Sequence, residues 1–510
     1  MHPLCFPSFD QGWLAWIMLV PLHWALTGLT SRQAFRWGWL AGSIAFAGTI
    51  TWVITAMNQY GQVPFAVSST LMLLLATYLG LFMGAYAWGC VTFQKTYPDI
   101  VWLAAPTLWV TLEYLRTYAF SGLPWALLGY SQYEWLTLIQ FADITGVYGV
   151  SFLVVMANVV LFHCLTWITT TNRAFATSKE WTPLAGFAAT LALILAYGTW
   201  QLYHQHSLDE TAETLTIGIV QANIEQGKKW DERYRDETMD RYARLSLQAG
   251  QNTDLLIWPE AATPFLFEQE PEYQGEIRRI VQATNSPLLF GSPTVRFHPD
   301  GRPYLFNSAF LLDREGQISD RYDKRHLVPF GEYIPLKSVL FFLDKLVVGI
   351  GDFQEGQGHM TMTVTTPRLK SATRFGVPIC FEVIFPDLVR RMAQEGANML
   401  ITITNDAWFG DSVAPYQHFG MVVFRAVENH LAFARAANTG ISGFIAPDGA
   451  ILDATPVFTE QARTSTIPLR RTVTFYAQFG DVFSWICVIL TGILAIGNRL
   501  GARASLKRST

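Results

Sequence analysis

The stretch Val377-Pro378-Ile379-Cys380-Phe381-Glu382 decides how the middle of this 510-residue chain is read. Arg374–Cys380 reads as a strand that delivers a single cysteine to its own end. Two more strand ends carry reactive groups: Trp258-Pro259-Glu260 closes the run Asp254–Trp258, and Lys324 follows the run Gly316–Asp323. Further strands are expected at Leu215–Val220, Pro287–Phe290, Asn307–Leu312 and Met399–Thr404, with a hairpin of Gly443–Pro447 and Ala450–Thr455 around Asp448-Gly449. Helices are expected at Asp231–Ala249, Glu276–Ala283, Pro386–Gln394 and, as one long element, Phe419–Ala437. Strands and helices interleaved in this way indicate an α/β sandwich.

Charge separates this region from the rest. The chain is 51% hydrophobic and only 15% charged, whereas soluble domains average roughly 25% charged residues. That excludes a disordered chain and a basic nucleic-acid binder, so no nucleic-acid partner is expected. Residues 1–205 hold 6 Lys/Arg and 6 Asp/Glu, residues 206–475 hold 26 and 33, and residues 476–510 hold 4 and 1. The organisation read from this is a membrane bundle of about six spans over 1–205, a soluble domain over 214–471, and a last span with a basic tail over 476–510.

Spans are expected near 12–29, 37–57, 65–93, 100–119, 144–169, 182–203 and 480–498. Arg32 and Arg36, Lys95, Arg173 and Lys179, and the tail residues Arg499, Arg503, Lys507 and Arg508 alternate with span number. By the positive-inside rule the soluble domain then lies outside the cytoplasmic membrane, which in a bacterium is the periplasm. Residues 1–11 contain no Lys or Arg, which disfavours a signal peptide.

A carboxylate, a lysine and a cysteine at strand ends suit acyl transfer. A thiolate attacks, a carboxylate takes its proton, and an ammonium joins a backbone N–H in stabilising the oxyanion. Each has a plainer reading: Cys380 as a small core residue, Glu260 as a helix-start residue, Lys324 as part of a solvated charge cluster. Cysteine count narrows the choice. Of Cys5, Cys90, Cys164, Cys380 and Cys487, only Cys380 falls within the soluble domain, so that domain can hold no internal disulfide. No Cys/His cluster has ligand spacing, and neither metal nor other cofactor is expected.

The segments Trp258-Pro-Glu260, Lys324…Pro329-Phe-Gly-Glu332-Tyr and Cys380-Phe-Glu382 resemble the Glu-Lys-Cys triad of the nitrilase (carbon–nitrogen hydrolase) superfamily. With the spans, the chain resembles the apolipoprotein N-acyltransferase family of bacterial inner membranes. Val220–Ile224, Lys229-Trp-Asp231, Tyr304–Asn307, Thr404–Gly410, Gln417-His418-Phe419, Asn438-Thr-Gly440 and Gly122-Leu-Pro-Trp125…Gly129-Tyr-Ser-Gln132 carry the match further. The resemblance implies a nitrilase-like αββα sandwich beside a multi-span α-helical bundle, acting as a monomer. It implies that Cys380 takes an acyl chain from a phospholipid, preferably phosphatidylethanolamine, and passes it to the α-amine of a diacylated apolipoprotein. Glu260 would be the general base and Lys324 the oxyanion stabiliser. Glu332 and Glu382 would support the site, and Trp230 and Asn307 would line the entrance. Phe381 stands where many members have Tyr, which keeps the backbone N–H and loses a hydroxyl. Members usually carry seven spans before the domain; with six read here, the family's first span is expected to be absent or translation to start upstream of Met1.

Two other functions fit parts of the pattern. A membrane-tethered amidase would share the chemistry up to the thioester. A transporter would place ionisable residues in mid-membrane, whereas Glu113, Glu134 and Asp143 fall near span ends or in a loop. Ser338–Gly358, apolar and glycine-rich, reads either as a core helix with a connector or as a lid hinged on glycine.

Overall fold

The structure, a computed structural model, describes residues 1–171, 178–251, 253–333, 353–369 and 372–508. It divides into two compact units: residues 1–51, 69–203 and 479–510, and residues 52–68 and 204–478.

The first unit is helical. Among the described residues four helices are long and apolar enough to cross a membrane: Phe65–Thr96, Val147–Thr169, Glu180–Asp209 and Val482–Leu500. A fifth span results if the bent pair Ser31–Thr49 and Trp52–Tyr60 counts as one. This is fewer than the seven spans expected, for two local reasons. The segment 12–29 is not a spanning helix but a 3-10 turn, Gly12–Trp16, followed by the short helix Val20–Ala25 with Pro21 in its first turn. The buried Asn158 patches that break: its amide donates to Ala15 O at 2.8 Å, and its Oδ1 accepts from Leu19 N at 2.8 Å. A polar side chain that satisfies freed backbone groups is what allows a helix to be interrupted in apolar surroundings. The helix Val101–Tyr118 exists but does not qualify by apolarity, because Glu113 and Arg116 lie within it. Both are buried, and Glu113 accepts the N–H of Leu128 at 2.7 Å. The segment Gly122–Gln132 is therefore structural at several points. Gln132 donates to Gly12 O at 2.8 Å, and a Cβ on Gly129 would meet Val147 O at 2.6 Å.

The second unit is a four-layered αββα sandwich. Its strands are β1 (Thr214–Gln221), β2 (Leu255–Ile257), β3 (Leu288–Phe297), β4 (Pro303–Leu312), β5 (Ile318–Asp323) and β6 (Thr361–Val364). The remaining six are β7 (Thr373–Gly376), β8 (Met399–Thr404), β9 (Phe433–Ala437), β10 (Gly443–Ile445), β11 (Ile451–Ala454) and β12 (Gln461–Pro468). One sheet has the order β12-β1-β2-β3-β4-β5, the other β11-β10-β9-β8-β7-β6. In each, the inner strands are parallel and the outer ones antiparallel. Helices Arg235–Ala249 and Pro271–Thr284 bury Met239, Tyr242, Leu245, Ile277, Ile280 and Val281 against the first sheet. The amphipathic face of each helix has to be covered by such a sheet, and this packing is what stabilises it.

Three expected elements change. Arg374–Cys380 is a strand only to Gly376, and Cys380 opens a 3-10 helix, Cys380–Ile384. Phe419–Ala437 is not one helix: the helix Ala414–Asn429 stops at His430, which adopts a left-handed conformation with φ +49°, and Phe433–Ala437 becomes β9. Both pieces are buried on every side, and periodicity cannot separate a buried strand from a buried helix. The segment 52–68, expected in the bundle, packs with the sandwich, where Trp52 meets Phe409 with ring centroids 5.0 Å apart. Residues 338–352 of the lid expectation lie outside the described residues. The described remainder ties down a strand end, with Gln354 N–H on Leu305 O at 2.8 Å and Gly356 N–H on Lys324 O at 2.8 Å.

Candidate active site

Glu260 leaves β2 through Trp258, whose backbone N–H donates to Leu289 O at 2.8 Å and whose indole donates to Ser246 at 2.9 Å. Gly291 on β3 lies directly under it, because a Cβ there would sit 2.7 Å from the Glu260 Cα. The Glu260 side chain is thus fixed before it reaches any partner. Its Oε1 accepts from Asn307 Nδ2 at 2.7 Å and Lys324 Nζ at 3.3 Å, and its Oε2 from the Asn405 backbone N–H at 2.9 Å.

Lys324 follows β5 and is 1% exposed. Its backbone N–H donates to Asn307 O at 2.8 Å, and its Nζ reaches Glu332 Oε1 at 3.0 Å as well as Glu260. Glu332 is held in turn by Asn307 Nδ2 at 2.8 Å and Val328 N–H at 2.8 Å. An ammonium has three donors, and two are committed to carboxylates. Asn307 sits between the two acids with both amide hydrogens engaged, buried rather than at an opening.

Cys380 is buried and carries a left-handed backbone, φ +51°. This conformation is rare for a residue with a Cβ and persists where surroundings enforce it. Glu382, two residues on, supplies part of the enforcement. Its Oε2 accepts Ile379 N–H at 2.7 Å, and its Oε1 accepts Arg325 N–H at 2.7 Å and His326 N–H at 3.1 Å. The Tyr322 hydroxyl donates to the same carboxylate at 2.9 Å. Glu382 thereby clips the loop after Lys324 to the loop before Cys380. The Phe381 ring packs on Phe385 with centroids 5.3 Å apart. Trp230 is 49% exposed and, among the described residues, makes no polar contact with the cluster.

Electrostatics assign the resting protonation state. Burial alone would raise the Glu260 carboxyl, but Lys324, the Asn307 amide and the Cys380 thiol outweigh it and hold it below its ordinary value. Burial, and then the Glu260 charge, push the Cys380 thiol up. Burial would lower Lys324, yet Glu332 and Glu260 together raise it. The resting site is a carboxylate, an ammonium and a neutral thiol. Burial pushes Glu382 up to about 7, against the lowering effect of the N–H groups it accepts. A second buried cation, Lys229, donates to the Glu260 carbonyl at 3.3 Å; burial lowers it to about 8, opposed by Glu260.

The structure therefore brings Glu260, Lys324, Glu332 and Asn307 into one hydrogen-bonded group, with Cys380 interacting electrostatically with Glu260 and Lys324. No role was expected for Lys229, Asn405, Asp406, His418 or Arg435, which also belong to this neighbourhood. The first four lie in segments that match the family. Arg435, near the end of what reads as one long helix, Phe419–Ala437, offers no local signal beyond being charged.

A sandwich with a buried Glu-Lys-Cys group defines an enzyme of the carbon–nitrogen hydrolase class, and the description "Carbon-nitrogen hydrolase" matches residues 216–476. The description "Apolipoprotein N-acyltransferase N-terminal domain" matches residues 1–160. The chain is 41% identical over 500 residues to the apolipoprotein N-acyltransferase of Geobacter metallireducens, covering 96% of this chain and 92% of the relative. It is 32% identical to that of Haemophilus ducreyi, covering 95% and 93%. Among solved structures, a mutant nitrilase-superfamily amidase of Nesterenkonia matches with 20% identity and a TM-score of 0.38, covering 52% of this chain and 93% of the amidase. The chain belongs to the apolipoprotein N-acyltransferase family, and it is an acyltransferase by that membership.

Proposed function

We propose that the chain moves a fatty acyl group from a phospholipid to the N-terminal amine of an apolipoprotein, through a thioester on Cys380. The observation that carries this is the buried Glu260–Lys324–Cys380 group in a chain whose described residues also hold four long apolar helices. A lipid donor needs its reacting ester beside the thiol, and apolar helices hold an enzyme where such donors are.

The thiol proton passes to Glu260 as sulfur attacks the ester carbonyl of phosphatidylethanolamine, so that no free thiolate is needed. The carbonyl electrons move onto oxygen, where the third Lys324 donor and the Phe381 backbone N–H stabilise them. Collapse expels the lysophospholipid alkoxide, which takes the proton from Glu260. In the second half the α-amine of the diacylglyceryl-cysteine attacks the thioester. Glu260 accepts the amine proton and returns it to the departing sulfur. Glu332 keeps Lys324 charged and oriented, Asn307 bridges Glu332 and Glu260, Glu382 keeps the Cys380 loop in place, and Trp230 lies on the substrate side. The enzyme works as a monomer in the bacterial inner membrane, with 214–471 in the periplasm and the basic tail of 476–510 in the cytoplasm.

Purified protein incubated with acyl-labelled phosphatidylethanolamine should gain one acyl mass on the Cys380 peptide and release lysophospholipid. Neither product appearing rejects the reading. Acyl-enzyme that transfers only to water, with a diacylated lipopeptide present, favours a membrane amidase instead. A reporter fused after Thr510 should read as cytoplasmic; a periplasmic signal overturns the orientation.

A further inference from the structure

Cys380 needs a left-handed backbone, and its carbonyl is held by a buried group outside the triad. His418, on the helix Ala414–Asn429, places Nε2 3.2 Å from Cys380 O. A carbonyl only accepts, so the ring proton lies on Nε2. The other nitrogen, Nδ1, faces Arg435 Nη2 at 3.1 Å and Asp406 Oδ1 at 3.1 Å.

Asp406 and Arg435 are bound to each other at 2.7 Å, and both are fully buried. Thr404 donates to Asp406 at 2.8 Å, and Arg435 Nε donates to Ile441 O at 3.0 Å. A Cβ on Gly440 would collide with the Asp406 carboxylate, so the chain leaves room for this cluster. Burial, and then the Arg435 charge, lower the His418 imidazole, which keeps it neutral. In that state Arg435 donates to Nδ1 and the ring donates to Cys380 O.

The Cys380–Phe381 peptide is one resonance unit. A hydrogen bond accepted at its oxygen polarises its N–H and makes it a stronger donor. That N–H belongs to Phe381, the second residue of the 3-10 helix Cys380–Ile384. The first N–H groups of a helix have no intrahelical acceptor. The bond also fixes the plane of the peptide and hence the direction of the N–H.

We propose that His418, held at Nδ1 by Arg435, which Asp406 fixes in turn, is a positioning residue for the oxyanion: its Nε2–H orients and polarises the Cys380–Phe381 peptide, whose Phe381 N–H stabilises the tetrahedral intermediate. This rests on Cys380 being the nucleophile. His418 exchanges no proton in the reaction. The only bonds that change are those already described at sulfur, the acyl carbon and the leaving oxygen.

The test compares two reactions of the same thiol in the full-length protein in detergent micelles. Acylation by phosphatidylethanolamine passes through an oxyanion, while alkylation by iodoacetamide displaces iodide and forms none. With His418→Ala, acylation should slow by about tenfold or more while alkylation stays within about threefold. His418→Gln, which can donate to the same carbonyl, should restore acylation to within about threefold of the parent. If alanine prevents folding, His418→Met fills the volume without a donor and should give the alanine result. Acylation and alkylation falling together, acylation unchanged, or no recovery with Gln would each overturn the proposal. Acyl-enzyme formed by Cys380→Ala would instead sink the nucleophile assignment, whatever the His418 variants do.

Discussion

The two sheets of the sandwich contribute different things to one site. The segments that follow β2 and β5 in the first sheet, with the middle of β4, bring Glu260, Asn307, Lys324 and Glu332 together as an ionised network. The segments that follow β7 and β8 in the second, and the middle of β9, bring Cys380, Asp406 and Arg435, where backbone shape dominates: a left-handed Cys380 with its flanking peptides held by Glu382 and His418. The first sheet supplies charge and the second supplies geometry. Charge alone would leave the thiol in an arbitrary direction, and geometry alone would leave it protonated with no base.

That division can be broken from either side. Cys380→Ser should have the largest effect, reducing acyl-enzyme by about a thousandfold or more, measured by mass spectrometry of the Cys380 peptide, since an alcohol is a far weaker nucleophile than a thiol in the same site. Lys324→Met comes next. It removes the cation shared by two buried carboxylates, with an expected loss of about 10²–10³ in acylation rate. Unfolding should report a destabilisation of about 3–5 kcal/mol, because the carboxylates are left uncompensated. Glu332→Gln leaves Lys324 one carboxylate and should cost about tenfold in acylation, with little change in substrate affinity.

The smallest effect sharpens the geometric half. Glu382 has its pKa raised to about 7 by burial, so its neutral form is favoured by folding. A carboxyl raised above its unfolded value contributes stability that is complete at low pH and is lost as pH rises through the folded pKa. Denaturation of the parent and Glu382→Gln proteins, compared between pH 5 and pH 8, should show the parent's relative stability falling by about 2–3 kcal/mol across that window. A flat difference would mean that Glu382 stays ionised and belongs with the charge network.

Several elements were legible because their signal is local. The runs at Met399–Thr404 and Pro386–Gln394 appear as expected, residue for residue. The pairing of β10 with β11 follows the expected hairpin, β4 contains the expected run Asn307–Leu312, and β5 falls within the expected run Gly316–Asp323. The edge strands β6 and β12 were not legible. Thr361–Val364 and Gln461–Pro468 are partly exposed and rich in threonine or charge, and their strand character comes from the neighbour they pair with. The interrupted segment at 12–25 was read as a span because apolarity does not reveal that Asn158, far away in sequence, satisfies the broken backbone. In the site, the triad residues stand out by type and position. The Asp406–His418–Arg435 group does not, because its members are scattered over three elements.

By itself the sequence determined the division into a charge-poor helical part and an ordinary α/β domain, and it singled out a carboxylate, a lysine and a cysteine, Glu260, Lys324 and Cys380, that the fold brings together. Those are properties of composition, of apolar runs and of motifs a few residues long. Tertiary structure alone decided that Lys324 answers two carboxylates, that Cys380 opens a strained 3-10 turn rather than ending a strand, and that a buried histidine holds its carbonyl. Each of these depends on groups far apart in the chain meeting out of water. Only there do hydrogen bonds and charges become strong enough to fix a protonation state and a backbone angle.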